Sequence, residues 1–155
     1  MAAQKVKYLV LFLLINFGGL ALGTWLMENG PMDQWYLTLN KAPWTPPGWV
    51  FGAAWTSIMI CFSIYLVGLF SEKYSSKKLV LYVIQVILNV SWNYIFFNQH
   101  QVAFGLVVLL LLTSLIFYLF FTYKEEQKRK SYLLLPYLIW LCVANSLNLY
   151  VLIHN

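Results

Sequence analysis

The sequence from Lys41 to Trp55 reads KAPWTPPGWVFGAAW and contains three prolines, two glycines and three tryptophans. It lies where a polar segment meets a long apolar one. Because proline fixes φ and cannot donate to a helix ladder, these prolines predict a stiff, extended lead-in. We expect Pro47 to occupy the first turn of the helix that follows. A rigid backbone that carries large aromatic rings is suited to covering a flat apolar ligand. A loop that only connects two helices needs neither the rigidity nor the rings.

The composition around this stretch is that of an integral membrane protein. Of the 155 residues, 61% are hydrophobic, 19% aromatic and only 10% charged, and the mean hydropathy is +0.70. Soluble domains carry about 25% charged residues. Reading spans of about 20 apolar residues, we predict five that contain no Asp, Glu, Lys or Arg: residues 8–27, 49–70, 79–98, 102–123 and 133–153. The expected fold is all-α, a single five-helix membrane domain over residues 1–155, with the long first loop acting as a lid.

The basic residues predict the orientation in the membrane. All ten Lys and Arg residues except Lys41 lie before the first span, between the second and third (Lys73 among them), or between the fourth and fifth. By the positive-inside rule these regions are cytoplasmic. We therefore expect a cytoplasmic N-terminus, and residues 28–48 and the C-terminus outside, in a bacterial cell membrane. The net charge of +5 is then a topology signal that suits a lipid bilayer and implies no nucleic-acid partner.

The predicted spans offer no arrangement of residues for acid–base, nucleophilic or metal chemistry. No intramembrane carboxylate, His or Lys is present, although such residues mark most pumps and coupled transporters. Cys61 and Cys142 fall in different spans, where we expect free thiols packed as small apolar side chains. His100 and His154 are far apart in the sequence and give no metal-ligand spacing. We expect no metal and no cofactor.

Three predicted helices carry aromatic and amide side chains on one face, at three- and four-residue steps. The faces hold Phe51, Trp55, Met59 and Phe62 on the second helix, Asn89, Trp92, Asn93 and Phe96 on the third, and Pro136, Trp140, Ala144 and Asn148 on the fifth. Plain helix packing explains any one of them, whereas all three beneath a Trp–Pro loop favour an aromatic pocket with a few polar contacts. Amides in hydrocarbon need partners, so these and Asn16 and Asn145 should face protein or a cavity. Gly19 and Gly23 form either a dimer face or a packing contact within the bundle.

These motifs together resemble one family. Trp35-Tyr36, WTPPGWVFGAAW at 44–55, LNVSW at 88–92 with Phe96-Phe97 after it, and PYLIW at 136–140 with Ala144 and Asn148 are similar to the translocator protein family, also called the tryptophan-rich sensory protein or peripheral-type benzodiazepine receptor family. The resemblance implies a five-helix bundle, commonly a homodimer, that binds porphyrins and related tetrapyrroles, cholesterol and synthetic aromatic ligands. The ligand-binding residues that it implies are Tyr36, Pro46, Pro47, Trp49, Phe51, Trp55, Asn89, Trp92, Trp140, Ala144 and Asn148.

The chain departs from the family pattern in three places. It has Lys41-Ala42-Pro43-Trp44 where members often have Lys-Pro-Ser-Trp, its fourth span has no early Asp, and no Lys or Arg follows Tyr150, so specific sterol binding is not expected.

Three functions remain open. The first is a membrane sensor or translocator that binds protoporphyrin IX-like tetrapyrroles and other flat apolar ligands. The second is an enzyme for light-dependent oxidative degradation of protoporphyrin IX, reported for some bacterial members, in which Trp55 and Trp140 would take part. The third is a structural membrane scaffold whose aromatic residues pack and anchor at the interface.

Overall fold

The computed structural model describes residues 2–72 and 74–155, and five long helices dominate it. These helices are α1 (Ala2–Leu26), α3 (Gly48–Glu72), α4 (Ser76–Asn93), α5 (Val102–Thr122) and α7 (Leu135–His154). The shorter segments are α2 (Gln34–Thr38), α6 (Lys124–Gln127) and two 3₁₀ segments, Gly30–Met32 and Lys128–Leu134. Lys73, one of the basic residues used to predict the orientation, lies outside the described residues.

The prediction of an all-α membrane protein with five spanning helices is confirmed, since the described residues include five helical segments that are long and apolar enough to cross a bilayer. Several helices extend beyond the predicted apolar spans. For example, α1 begins at Ala2 and α4 at Ser76, before their apolar runs. Hydropathy marks where hydrocarbon ends, whereas the backbone hydrogen bonds of a helix can continue into water. At its other end α4 continues as a π-helical turn over Tyr94–Asn98.

The five long helices pack as a ring. Helix α1 contacts α3 and α4, helix α5 contacts α4 and α7, and α7 contacts α3. A Cβ added at Gly19 would lie 3.6 Å from the side chain of Val90, and one added at Gly23 would lie 2.7 Å from Nδ2 of Asn93. This glycine pair therefore serves close approach of α1 to α4 inside one chain, the second of the two roles considered from the sequence.

The solid core occupies the half of the bundle that carries the basic loops. Helix α3 contributes Tyr65 and Leu69 from its C-terminal half, α5 contributes Ile116 from its C-terminal half, and α7 contributes Tyr137 from its first turns, each no more than 1% exposed. Because α3 and α5 run in the opposite direction to α7, the C-terminal halves of α3 and α5 lie at the same end of the ring as the first turns of α7. The opposite end, next to the Trp–Pro loop (residues 28–48), is less completely filled.

Two polar clusters tie the helices together. Asn16 of α1 donates from Nδ2 to Oγ of Ser63 at 2.8 Å, and its Oδ1 accepts from the hydroxyl of Tyr82 at 2.9 Å. At the basic end, the buried Lys78 ammonium donates to the carbonyl of Leu69 at 2.9 Å and pairs with Glu126. Leu69 lies in the last turn of α3, so this cation stabilises the negative end of that helix.

Candidate ligand-binding site

A cavity of about 350 Å³ lies at the loop side of the bundle, between α1, α3 and α4. Helix α3 lines it with Phe51 and Trp55, which lie about one turn apart on the same face. Helix α4 contributes Asn89 and Trp92, and Phe97 follows from the π-helical turn. The cavity is partly open and has the aromatic lining with few polar groups that is typical of small-molecule sites.

The Trp–Pro loop covers this cavity through Tyr36, Lys41, Thr45 and Pro46. Thr45 fixes the loop locally, because its backbone N–H and its hydroxyl both donate to the carbonyl of Ala42, at 2.9 and 2.7 Å. The sequence predicts Pro47 in the first turn of α3. The helix begins at Gly48, so Pro47 instead lies immediately before it.

Short contacts hold the loop to the rest of the bundle. Asp33 is the N-cap of α2, because its side chain accepts a 2.8 Å hydrogen bond from the backbone N–H of Trp35. The Trp35 ring then stacks on His100 in the turn between α4 and α5, with 4.1 Å between ring centroids and 15° between the planes. Trp44 donates from Nε1 to Oγ of Ser146 on α7 at 3.2 Å. The loop is thus attached both to the turn between α4 and α5 and to α7.

A smaller pocket of about 50 Å³ continues from the cavity towards α7. It shares Tyr36, Phe51 and Trp92 with the cavity and adds Ala144 and Asn148. Asn148 accepts a 3.3 Å hydrogen bond from Nε1 of Trp92 and donates from Nδ2 to the carbonyl of Val102 at 2.9 Å. This amide therefore fixes the orientation of an indole that forms the wall between the two hollows.

Asn89 has an unpartnered amide at the cavity. The residue is only 7% exposed, and no group among residues 2–72 and 74–155 forms a hydrogen bond with its side chain. By contrast, the amides of Asn16 and Asn148 both have protein partners. Because this side chain lines the cavity, its amide is available to a polar group of a molecule bound there.

The structure brings together most, but not all, of the eleven residues predicted to bind a ligand. Those that line the cavity or the smaller pocket are Tyr36, Pro46, Phe51, Trp55, Asn89, Trp92, Ala144 and Asn148. Trp140 is 8% exposed, lines neither hollow and packs edge-on against Phe51, with 5.1 Å between ring centroids. Pro47 and Trp49 are exposed and line neither hollow, Trp49 being 75% exposed. Ligand binding by any of the eleven stays a prediction.

Other lining residues were not identified from the sequence as site residues. They include Thr24 and Met27 of α1 and, from the loop, Lys41. The isolation of Lys41 from the other basic residues was the one available signal. Burial raises the pKa of the neighbouring Tyr36 phenol above its ordinary value, so this hydroxyl stays protonated at neutral pH. Over the described ranges, no group of three or more His, Cys, Asp or Glu residues is placed to hold a metal ion.

The sequence matches known proteins over most of its length. The model of the TspO/MBR family matches residues 10–154. The tryptophan-rich sensory protein of Cereibacter sphaeroides is 32% identical over 116 residues, which cover 75% of this chain and 73% of that protein. The human translocator protein is 36% identical over 126 residues, covering 77% and 74% of the two chains. Protein CrtK of Rhodobacter capsulatus is 34% identical over 118 residues, 74% of each chain.

Proposed function

Because the chain belongs to the TspO/MBR family, we propose that it binds a flat apolar ligand of the tetrapyrrole class, such as protoporphyrin IX, and acts as a sensor or translocator. The observation that carries the proposal is the cavity of about 350 Å³ lined by the indoles of Trp55 and Trp92 beneath Pro46. Aromatic side chains favour offset-stacked and edge-to-face contacts with other π-systems. A macrocycle with two large apolar faces fits such a lining.

The polar groups of the cavity agree with this ligand class. The unpartnered amide of Asn89 and the side chain of Asn93 lie on the same wall as Trp92. A tetrapyrrole has a few polar atoms on an otherwise apolar plane. The aromatic rings can contact the plane, and the Asn89 amide can hydrogen-bond to one of the polar atoms. Asn89 would then orient the ligand, and the indoles would supply most of the contact area.

The filled half of the bundle favours sensing over transport through the protein. Side chains such as Tyr65, Ile116 and Tyr137 close the centre of the bundle at the end opposite the loop. A ligand in the cavity therefore reaches the loop side without crossing this core, whereas passage to the basic side requires the helices to separate. A ligand that changes the contacts between the Trp–Pro loop and the helices would give a signal without any separation of the helices.

We place the loop side outside the cell membrane and the basic end in the cytoplasm, because of the distribution of Lys and Arg. Cysteine labelling in intact cells tests this topology. A membrane-impermeant reagent should modify a Thr45→Cys variant and leave Lys128→Cys unmodified. The reverse pattern would place the cavity on the cytoplasmic side. We also propose a homodimer, as the family resemblance implies, which crosslinking in native membranes would detect.

Binding by purified protein tests the central proposal. Titration with protoporphyrin IX should give saturable tryptophan quenching and a shifted porphyrin absorption band. Replacing Trp55 or Trp92 by Phe should weaken binding by roughly threefold to tenfold, since aromatic contacts contribute about 0.5–1.5 kcal/mol each. Trp25→Phe is the matched control, because Trp25 is 74% exposed and does not line the cavity. Absence of any saturable binding would leave the scaffold hypothesis.

The same indoles favour a second candidate, light-dependent oxidative degradation of protoporphyrin IX. Trp55 contacts both the cavity and the buried ring of Tyr137, with 5.9 Å between centroids, so an excited macrocycle would lie beside an oxidisable pair of rings. Illumination should then consume porphyrin faster with the protein than without it. Loss of this effect in Trp55→Phe or Trp140→Phe, with porphyrin still bound, would support the enzyme. An unchanged rate with and without protein would exclude it.

A further inference from the structure

We propose that Lys41 makes the cavity selective for planar ligands that carry a carboxylate at their edge. The inference rests on the proposed function and names the ligand chemistry that the loop end of the cavity recognises. Lys41 lines both the cavity and the smaller pocket. Among the described residues that line these two hollows, it is the only one that carries a formal charge at neutral pH.

The Lys41 ammonium is held in place by the loop itself. Its Nζ donates to the carbonyl of Tyr36 at 2.8 Å, lies 3.5 Å from the carbonyl of Leu37, and sits 4.5 Å from the centroid of the Tyr36 ring. Both carbonyls belong to α2, so the cation also stabilises the C-terminal end of that short helix. The position of the charge is therefore fixed before a ligand binds, which reduces the entropic cost of using it.

No carboxylate of the described chain neutralises this cation. Across residues 2–72 and 74–155, the carboxylates that lie beside a basic side chain are Glu126, which pairs with Lys78 at the basic end, and Asp33, which is 4.0 Å from Nε2 of His100. Carbonyl dipoles and a ring face are the groups that contact Lys41. An ammonium has three donors and no acceptor, so two carbonyls leave one N–H for a third partner. A half-buried charge without an opposite charge favours an anionic group that enters the same cavity.

The position of Lys41 suits a ligand with an apolar body and an anionic edge. Trp55 lies one to two turns into α3 and Asn89 lies deeper in α4, whereas Lys41 belongs to the covering loop. A planar ligand against the indole of Trp55 would point one edge towards the loop, where a carboxylate meets the ammonium. A charge-assisted hydrogen bond of this kind corresponds to about tenfold to hundredfold in affinity. A neutral ester at the same place would leave the ammonium covered and unpaired.

The experiment compares protoporphyrin IX, which has two carboxylates, with its uncharged dimethyl ester. Both are titrated against the wild-type protein and against Lys41→Gln and Lys41→Arg, in the same neutral detergent. Gln keeps a hydrogen-bond donor for the Tyr36 carbonyl and removes the charge, whereas Arg keeps the charge. We expect the wild type to bind the acid about tenfold or more tightly than the ester, the preference to fall to within about twofold in Lys41→Gln, and to return in Lys41→Arg.

The outcomes separate this inference from the proposed function. Equal affinity of the wild type for acid and ester would overturn the role of Lys41 while leaving a porphyrin-binding cavity. An undiminished preference for the acid in Lys41→Gln would overturn it as well. Failure of the wild type to bind either compound would overturn the proposed function, and the inference with it. The acid–ester comparison needs no variant, so a folding defect in Lys41→Gln does not decide the result.

Discussion

Replacing Asn148 by leucine is expected to weaken ligand binding by releasing the indole that separates the two hollows. The Asn148 side chain is 2% exposed, accepts a 3.3 Å hydrogen bond from Nε1 of Trp92, and donates to the carbonyl of Val102 at 2.9 Å. Leucine has a similar volume and no polar atom. The substitution therefore removes both hydrogen bonds without opening a large void.

The expected size of the effect follows from these contacts. Each interhelical hydrogen bond contributes about 0.6–1 kcal/mol in a membrane protein, and a buried donor left unpaired costs about 1–3 kcal/mol. We expect Asn148→Leu to lower the free energy of unfolding by about 2–4 kcal/mol. Trp92 would no longer be held in one orientation, so the affinity for protoporphyrin IX should fall about twofold to tenfold, the equivalent of about 0.5–1.5 kcal/mol.

Asn145→Leu is the matched control for this measurement. Asn145 lies on the same helix and donates from Nδ2 to Oγ1 of Thr113 on α5 at 2.8 Å, but it lines neither hollow. Thermal unfolding and porphyrin titration are measured in the same micelles for both variants. Asn145→Leu should lose stability and keep wild-type affinity. Equal loss of affinity in the two variants, or wild-type affinity in Asn148→Leu, would refute the role given to the Trp92 hydrogen bond.

Three further changes test other parts of the structure. Lys78→Met should lower the free energy of unfolding by about 2–4 kcal/mol, because it removes the charge at the end of α3 and leaves Glu126, which is 32% exposed, without its partner. Chemical unfolding should show that the double variant Lys78→Met/Glu126→Gln recovers part of this loss. Equal stabilities of the single and the double variant would contradict the role of the ion pair. Asp33→Ala should destabilise α2 by about 0.5–2 kcal/mol, seen as faster proteolysis of the loop than in the wild type; an unchanged rate would count against the cap. Burial raises the pKa of the Tyr36 phenol. The contribution of this neutral phenol to the stability of the fold is therefore complete below the ordinary pKa of tyrosine and is lost as the pH rises through the raised value. Tyr36→Phe should flatten the fall in melting temperature above about pH 10, and an unchanged alkaline profile would contradict this.

The helices and their inward faces could be predicted because two simple constraints determine them. The thickness of the hydrocarbon layer requires about 20 apolar residues per span, and helical periodicity places Trp55 and Phe51, or Asn89 and Trp92, on one face. The Trp–Pro loop was also expected above the aromatic faces, and its residues Tyr36, Thr45 and Pro46 line the cavity there. These features depend on local sequence, and the structure places Trp55 and Trp92 around one cavity.

Depth along a helix and the path of the loop could not be predicted in the same way. Periodicity assigns Trp140 to an inward face but does not show that this ring packs against Phe51 and lines neither hollow. Trp49 follows the same prolines as Phe51, yet at the start of α3 it is turned outwards and 75% exposed. Lys41 was interpreted only as the exception to the charge pattern. Its place in the cavity depends on how the loop folds back over Tyr36, a contact that no spacing rule describes.

An experimental structure of the protein with protoporphyrin IX bound would test the central claim most directly. We expect the macrocycle in the cavity between the indoles of Trp55 and Trp92, beneath Pro46, with an edge towards Lys41. A macrocycle bound instead on the lipid-facing groove formed by Leu22, Val90 and Tyr94, with the cavity side chains collapsed on one another, would contradict it.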